Sequence, residues 1–458
     1  MRRINRSSTE RGRPLAVVLV AAATIALAAC SSSSVSPSSS AAGGGGSPAA
    51  SGGGSPAASA VGSPAAAVKL SALFMKQAAY SDSDVKAMSD AFTAANPNIT
   101  VNLEFVQYEA LHDKIVTDQV GGSGTYDTVL VDTPWPAEMA KANIVQDITD
   151  KIPAEFKSGV FDTAWTSATY QGKTYGVPWI NDTKFFFSNK KMLADAGITS
   201  TPRTWDDVIA AAKAIKAKGT VKYPLAWSWS QAEAVICDWA ELAGTMGGAD
   251  FIDAQGNATF NKGGGLAALT FMKKTIDDGL TNPASLGFLE DDVNKTMGAG
   301  QAAMALNWTY GLGVMNDPAK STVAGQIQVT AAPGTASTPT AGVNGGMSIA
   351  ITKSTKHPDE ALKFALWMAS QAMQEKYDSS TLPMWKASFG DANVTKAAPE
   401  LFAAAKDQFA ALVTRPVVPY YSKLSSALQV AIQEALKGTK TPQQALDGVA
   451  AKLPDLQK

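Results

Sequence analysis

Aromatic side chains stand beside carboxylates and amides at several places in this chain. Asp132 and Trp135 follow the short apolar run Thr128–Val131, and Trp179, Asn181 and Asp182 follow Gly176-Val177-Pro178. Trp227 and Trp229 alternate after Pro224. Trp308 and Tyr310 follow Asn307, Met384-Trp385 follow Pro383, and Arg415 precedes Pro416 and the Tyr420-Tyr421 pair. A sugar needs this mixture. Its C–H faces are apolar and pack on aromatic rings. Its hydroxyls donate and accept, so Asp, Asn and Arg can hold them, with charge-assisted bonds for Asp and Arg. Any one of these tryptophans reads equally well as core. The set reads as a site, because several members lie in loops beside polar partners.

Other chemistries lack their residues. The two histidines, His112 and His357, fall in different segments without ligand-like neighbours, so no zinc constellation is built. There is no Gly-x-Ser-x-Gly elbow and no phosphate-binding Gly-x-x-x-x-Gly-Lys run. An enzyme would have to work with carboxylates alone, as glycoside hydrolases do, with Asp132 and Asp182 as its pair. No acid/base pair lies close in sequence, so no catalysis, cofactor or metal is expected. A net charge of −1 gives no basic field for nucleic acid. Cys30 and Cys237 are the only cysteines. Cys237 sits in Ala234-Val235-Ile236-Cys237-Asp238-Trp239 and reads as a buried small hydrophobe.

The elements that must position these residues alternate. Leu70–Met75 reads as a strand and Ser83–Ala95 as a helix, with Val85, Met88, Ala91 and Phe92 at helical spacing. Ile99–Val106 alternates as a strand, a helix follows around Leu111–Val120, and Thr128–Val131 is a short apolar strand. This order predicts an α/β fold with a largely parallel sheet. Ligand residues then converge at the carboxyl ends of strands, where Asp132 falls. Further on, Thr204-Trp205-Asp206-Asp207 reads as a capping box opening a helix that Gly219 ends. Gly346–Ile351 reads as a strand before a helix starting at Pro358. Near the end, Thr441 reads as a cap with Pro442 in the first helical position.

The start of the chain has a different character. Arg2, Arg3, Arg6, Arg11 and Arg13 precede an apolar stretch from Leu15 to Ala26, and Leu27-Ala28-Ala29-Cys30 follows. Basic residues, a short apolar core and small residues at the cut make an export signal. The core is shorter than the roughly 20 apolar residues of a bilayer span. The ending resembles a bacterial lipobox, which implies that residues 1–29 are removed and that Cys30 becomes the lipidated first residue. Residues 31–67 are almost entirely Ser, Gly, Ala and Pro, without charge or aromatic rings. With Cys30 they read as a disordered tether (30–67), roughly 30–35 Å from end to end.

Within the body a longer resemblance emerges. Its central part is Gly172-Lys173-Thr174-Tyr175-Gly176-Val177-Pro178-Trp179, then Asp182, Phe186-Phe187-Ser188-Asn189-Lys190, Ala196-Gly197-Ile198 and Pro202-Arg203-Thr204-Trp205-Asp206. Together these resemble the signature of extracellular solute-binding proteins (family 1) of sugar ABC transporters. Tyr126–Asp132 with Trp135, Gly298–Met304, and Arg415-Pro416 with Pro419-Tyr420 are similar to other parts of that family. The resemblance implies a two-lobe α/β fold of the periplasmic-binding-protein kind (type II), with the ligand between lobes. Lobe one would take 68–178 and 326–370, and lobe two 179–325 and 371–458. It implies Asp132, Trp135, Asp182, Trp308, Gly345, Gly346 and Arg415 as contacts, with Trp227, Trp229 and Tyr310 next and Asn181 extending the polar set. It implies a monomeric sugar receptor, held by lipid at the extracytoplasmic face of the cell membrane and serving ABC permease subunits there. The several tryptophans favour a di- or oligosaccharide over a monosaccharide, and the same fold with a non-sugar solute is the alternative.

Overall fold

The computed structural model describes residues 66–248, 250–377 and 381–458; the export signal, Cys30 and nearly all of the tether lie outside them. The first strand, β1 (Val68–Met75), buries Leu70, Ala72, Leu73 and Phe74. Helix α1 (Asp82–Ala95) opens with a capping box between Ser81 and Asp84, which satisfies backbone N–H groups that a helix start leaves unpaired. Then come β2 (Ile99–Val106), α2 (Tyr108–Val120), β3 (Thr128–Asp132) and α3 (Pro136–Lys141). Helix α2 starts earlier than its apolar spacing suggests, so Tyr108 and Glu109 fall in its first turn. The strands β4 (Val177–Ile180) and β5 (Lys184–Asn189) follow, then α4 (Trp205–Lys218), β6 (Leu225–Ala226), α5 (Glu233–Thr245), α6 (Glu290–Gly298), β7 (Met304–Trp308), β8 (Ile327–Thr330), β9 (Met347–Ile351) and α7 (Tyr421–Leu436). Both sequence-read caps are formed: Thr204 with Asp207 opens α4, and Thr441 with Gln444 opens the helix Pro442–Ala450.

There are two main sheets. The first has the order β2-β1-β3-β9-β4 and the second β8-β5-β7-β6. The expectation of a largely parallel sheet is corrected: both are mixed. β1 runs parallel to β2 and β3, but β9 returns from the second sheet and lies antiparallel to β3 and β4. In the second sheet β5 is antiparallel to β7 and β8, and only β6 with β7 is parallel. β8 falls in the range expected for lobe one yet pairs in the second sheet. Each sheet has its own core. Along β5 the side chains alternate: Phe186 enters one apolar cluster while Phe185 and Phe187 enter another on the opposite face. Both faces of this strand are covered, so all three phenylalanines are fully buried.

Three segments pass between the sheets side by side. Residues 181–183 link β4 to β5, and residues 344–346 link the short strand Gly342–Val343 to β9. Thr183 bridges Asn344 antiparallel, and Gly345 N–H donates to Asp182 O at 2.9 Å. Gly342–Val343 pairs parallel with Leu412–Val413, and Asn344 N–H donates to Val413 O at 2.8 Å, which brings the segment leading to Arg415 alongside. Among the described residues, no helix is long and apolar enough to cross a membrane.

Candidate ligand cleft

A cavity opens beside these crossing segments, with about 660 Å³ of empty space including its solvent-facing mouth. The first sheet and its loops contribute Met75, Gln77–Ala79, Asp132 and Met347; helix α2 contributes Tyr108 and Glu109. The crossings contribute Asp182, Gly345 and Arg415, and the second sheet side contributes Glu233, Glu290, Trp308 and Tyr310. Two residues in the loop after β1, Gln77 and Ala79, hold left-handed backbone at φ 56° and 59°. Non-glycine residues pay strain for that conformation, and such strain concentrates at binding sites.

The polar floor is built around Arg415. Its Nη1 lies 2.9 Å from Asp132 Oδ2 and its Nη2 3.0 Å from Asp132 Oδ1, a two-pronged bond. Nη1 also donates to Glu233 Oε1 at 2.9 Å, and Nη2 to Asn344 O at 3.3 Å. Asp132 also accepts from Tyr108 Oη at 2.6 Å and from Thr133 N–H at 2.7 Å. Glu233 accepts from the hydroxyls of Tyr421 and Ser425. Burial pushes the Glu233 carboxyl up, and Arg415 and the two hydroxyls pull against that rise. With both oxygens of Asp132 and Glu233 in use, the cluster is a rigid scaffold under the cavity.

Asp182 is set differently. Its Oδ1 accepts from Thr183 N–H at 2.8 Å and its Oδ2 from Thr309 Oγ1 at 2.9 Å. Burial raises it to about 7, against the pull of these hydrogen bonds. The indole of Trp308 lies against Gly345: a Cβ at that position would run into the ring, so only glycine lets the backbone approach so closely. Trp308 Nε1 donates to Glu290 Oε1 at 3.2 Å, and Lys184 Nζ sits 5.2 Å from the ring centre. Lys184 is fully buried and pairs with Asp238 at 2.6 Å and Glu290 at 3.2 Å. Burial alone would lower its pKa, but these carboxylates more than offset that and hold it charged.

Of the sequence-read residues, Asp132, Asp182, Trp308, Tyr310, Gly345 and Arg415 line this cavity, and the others do not. Trp227 and Trp229 are fully buried and stack on each other, ring centres 5.2 Å apart and 3° from parallel, inside the second lobe's core. Their alternation follows a strand that is covered on both faces. Trp135 lies behind Tyr108, stacked at 5.5 Å, and lines a neighbouring groove instead. Asn181 Oδ1 accepts from Thr163 Oγ1 at 3.0 Å, and Gly346 O accepts from Thr133. Both therefore brace the crossing. Sequence reasoning missed Tyr108, Glu233 and Glu290. Each is the first residue of a helix, where an acidic or polar residue is an ordinary choice. Cys237 is buried and also lines the cavity, and burial pushes its thiol up.

Comparison with known proteins agrees with this architecture. Maltose-bound MalE3 of T. maritima superposes with a TM-score of 0.78 at 25% identity, covering 85% of this chain and all of that one. A solute-binding protein of an ABC transporter from Agrobacterium radiobacter K84, in complex with ribitol, gives 0.75 at 21% identity, covering 86% and 100%. In sequence, the "Probable ABC transporter-binding protein" of Deinococcus radiodurans is 26% identical over 81% of this chain and 89% of its own length. Residues 76–375 match the bacterial extracellular solute-binding protein family, and the chain belongs to it.

Proposed function

We propose that this solute-binding protein captures a short saccharide between its lobes and delivers it to the membrane permease of an ABC importer. The observation that carries this reading is the cleft's pairing of a partly buried indole, Trp308, with Asp182 and Arg415 at the crossing segments. The ring offers a face for sugar C–H groups, and the polar residues offer partners for hydroxyls. Because the crossings carry the ligand contacts, binding would favour the closed arrangement of the lobes and shift the open–closed population. A maltose-bound relative supports the same substrate class. With Trp227 and Trp229 in the core, the tryptophan count no longer favours a disaccharide or longer glycan over a monosaccharide. Hydrolysis is disfavoured, because Asp132 is held on both oxygens by Arg415 and cannot serve as a free acid or base. Isothermal titration against mono-, di- and oligosaccharides tests the proposal, and the absence of binding by all of them would overturn it.

The lipid anchor belongs to the same proposal. A receptor tethered at Cys30 would stay close to its permease. Cys30→Ser should release the protein from the membrane fraction or leave it uncleaved, with sugar affinity unchanged. Unaltered membrane retention together with normal cleavage would remove Cys30 from that role.

A further inference from the structure

The cleft is lopsided in what it offers a ligand. Tyr108 and Tyr310 already donate their hydroxyls to Asp132 and Asp291. Both terminal nitrogens of Arg415 are engaged, and its buried Nε is the one guanidinium nitrogen without a partner among the described residues. Acceptors are more plentiful. Trp308 and Lys184 take Oε1 of Glu290, while its Oε2 has no partner among the described residues. The Asp182 carboxylate accepts from Thr183 N–H and from the hydroxyl and backbone of Thr309, which leaves it one of its roughly four lone-pair positions. Glu109, exposed at the mouth, has neither a hydrogen bond nor an ion pair among them.

Charge leans the same way. Arg415 is shared by two carboxylates, Asp132 and Glu233, and Lys184 by two more, Asp238 and Glu290. Among the described residues no ion pair reaches Asp182, whose bonded partners are the neutral groups of Thr183 and Thr309. A sugar hydroxyl brings one donor together with acceptor lone pairs. A protonated amine brings three donors, no acceptor and a full positive charge, and an aromatic face such as that of Trp308 attracts it further.

Building on the saccharide reading above, we propose that the cleft selects a polyhydroxylated ligand bearing a protonated amine, such as an amino sugar, over its neutral counterpart, with Glu290 and Asp182 setting the preference. The Trp308 ring then takes a C–H face of the same ligand, so the cleft suits an amino-polyol better than a bare cation.

The test is isothermal titration of the full-length protein at neutral pH with matched probes: glucose against glucosamine, cellobiose against the β-1,4 glucosamine dimer, and glucuronate as the anion. The expected result is at least one pair in which the amine binds tenfold or more tightly, with glucuronate weakest. Glu290→Gln should then draw that ratio toward one. Amine and neutral probes binding equally, or the neutral probe more tightly, would overturn the preference while leaving the saccharide reading intact. If neither kind binds, the saccharide reading falls and this inference falls with it.

Discussion

The guanidinium of Arg415 grips the carboxylate of Asp132 with two nitrogens, both nitrogen–oxygen distances within 3.0 Å and both side chains out of solvent. Glu233 joins from α5, so three segments far apart in sequence depend on one cation. Removing it leaves two buried carboxylates without charge compensation. Arg415→Met should destabilise the fold by roughly 3–5 kcal/mol, read as a fall in Tm. Arg415→Lys should recover only part of that, because a point charge cannot make the two-pronged bond. A loss below about 1 kcal/mol in Arg415→Met would show that the cluster relaxes to reach water.

Tryptophans on the two sides of the second lobe should behave oppositely. Trp308→Ala should weaken saccharide binding more than tenfold with little change in Tm. Trp227→Ala should cost roughly 3–5 kcal/mol of stability by opening a core cavity, while the folded protein binds as before. Titration and thermal unfolding of both variants decide this, and the reverse pattern would move the site.

Gly345 holds its place by having no side chain. Gly345→Ala would push the added methyl into the Trp308 indole. Affinity should fall, and the fall should largely vanish in a Trp308→Ala background, because the displaced ring is then already gone. A double-mutant cycle measures this coupling. Additive losses would mean that the methyl acts on the backbone crossing instead.

Asp182 gives a pH dependence with a definite sign. Its folded pKa, about 7, lies above its ordinary value of 3.8 because of burial. The stability linked to its proton is therefore complete below the ordinary value and is lost as pH rises through 7. The full shift corresponds to at most about 4 kcal/mol. Asp182→Asn removes the ionisation, so the variant should gain on the wild type in Tm between pH 5 and pH 8. A Tm difference that stays constant over that window would mean that Asp182 stays ionised throughout.

Some of this was legible in the residues. β3 is a short apolar run with an aspartate at its end, so Asp132 could be placed at a strand terminus beforehand. The cap residues of α4 and of the helix Pro442–Ala450 were readable because their hydrogen bonds are local. The direction of β9 was not, because nothing in Met347–Ile351 says that it arrives from the second sheet and must run against its neighbours. Trp227 and Trp229 were misread for a related reason. A period of two tells which residues share a face, but not whether that face meets a cavity or another layer of core. Glu233 and Glu290 gave no signal, because an acidic residue in a first helical turn is stabilised by the helix dipole wherever the helix points.

The strand order of the first sheet also sets a schedule. β3 and β4 are separated by β9, so the sheet formed by residues 68–180 cannot close until residue 351 has been made. Until then β3 lacks one neighbour and β4 has none in that sheet. Pairings between segments this far apart are slow to form. The early part of the chain cannot complete its sheet while the later part is still being synthesised.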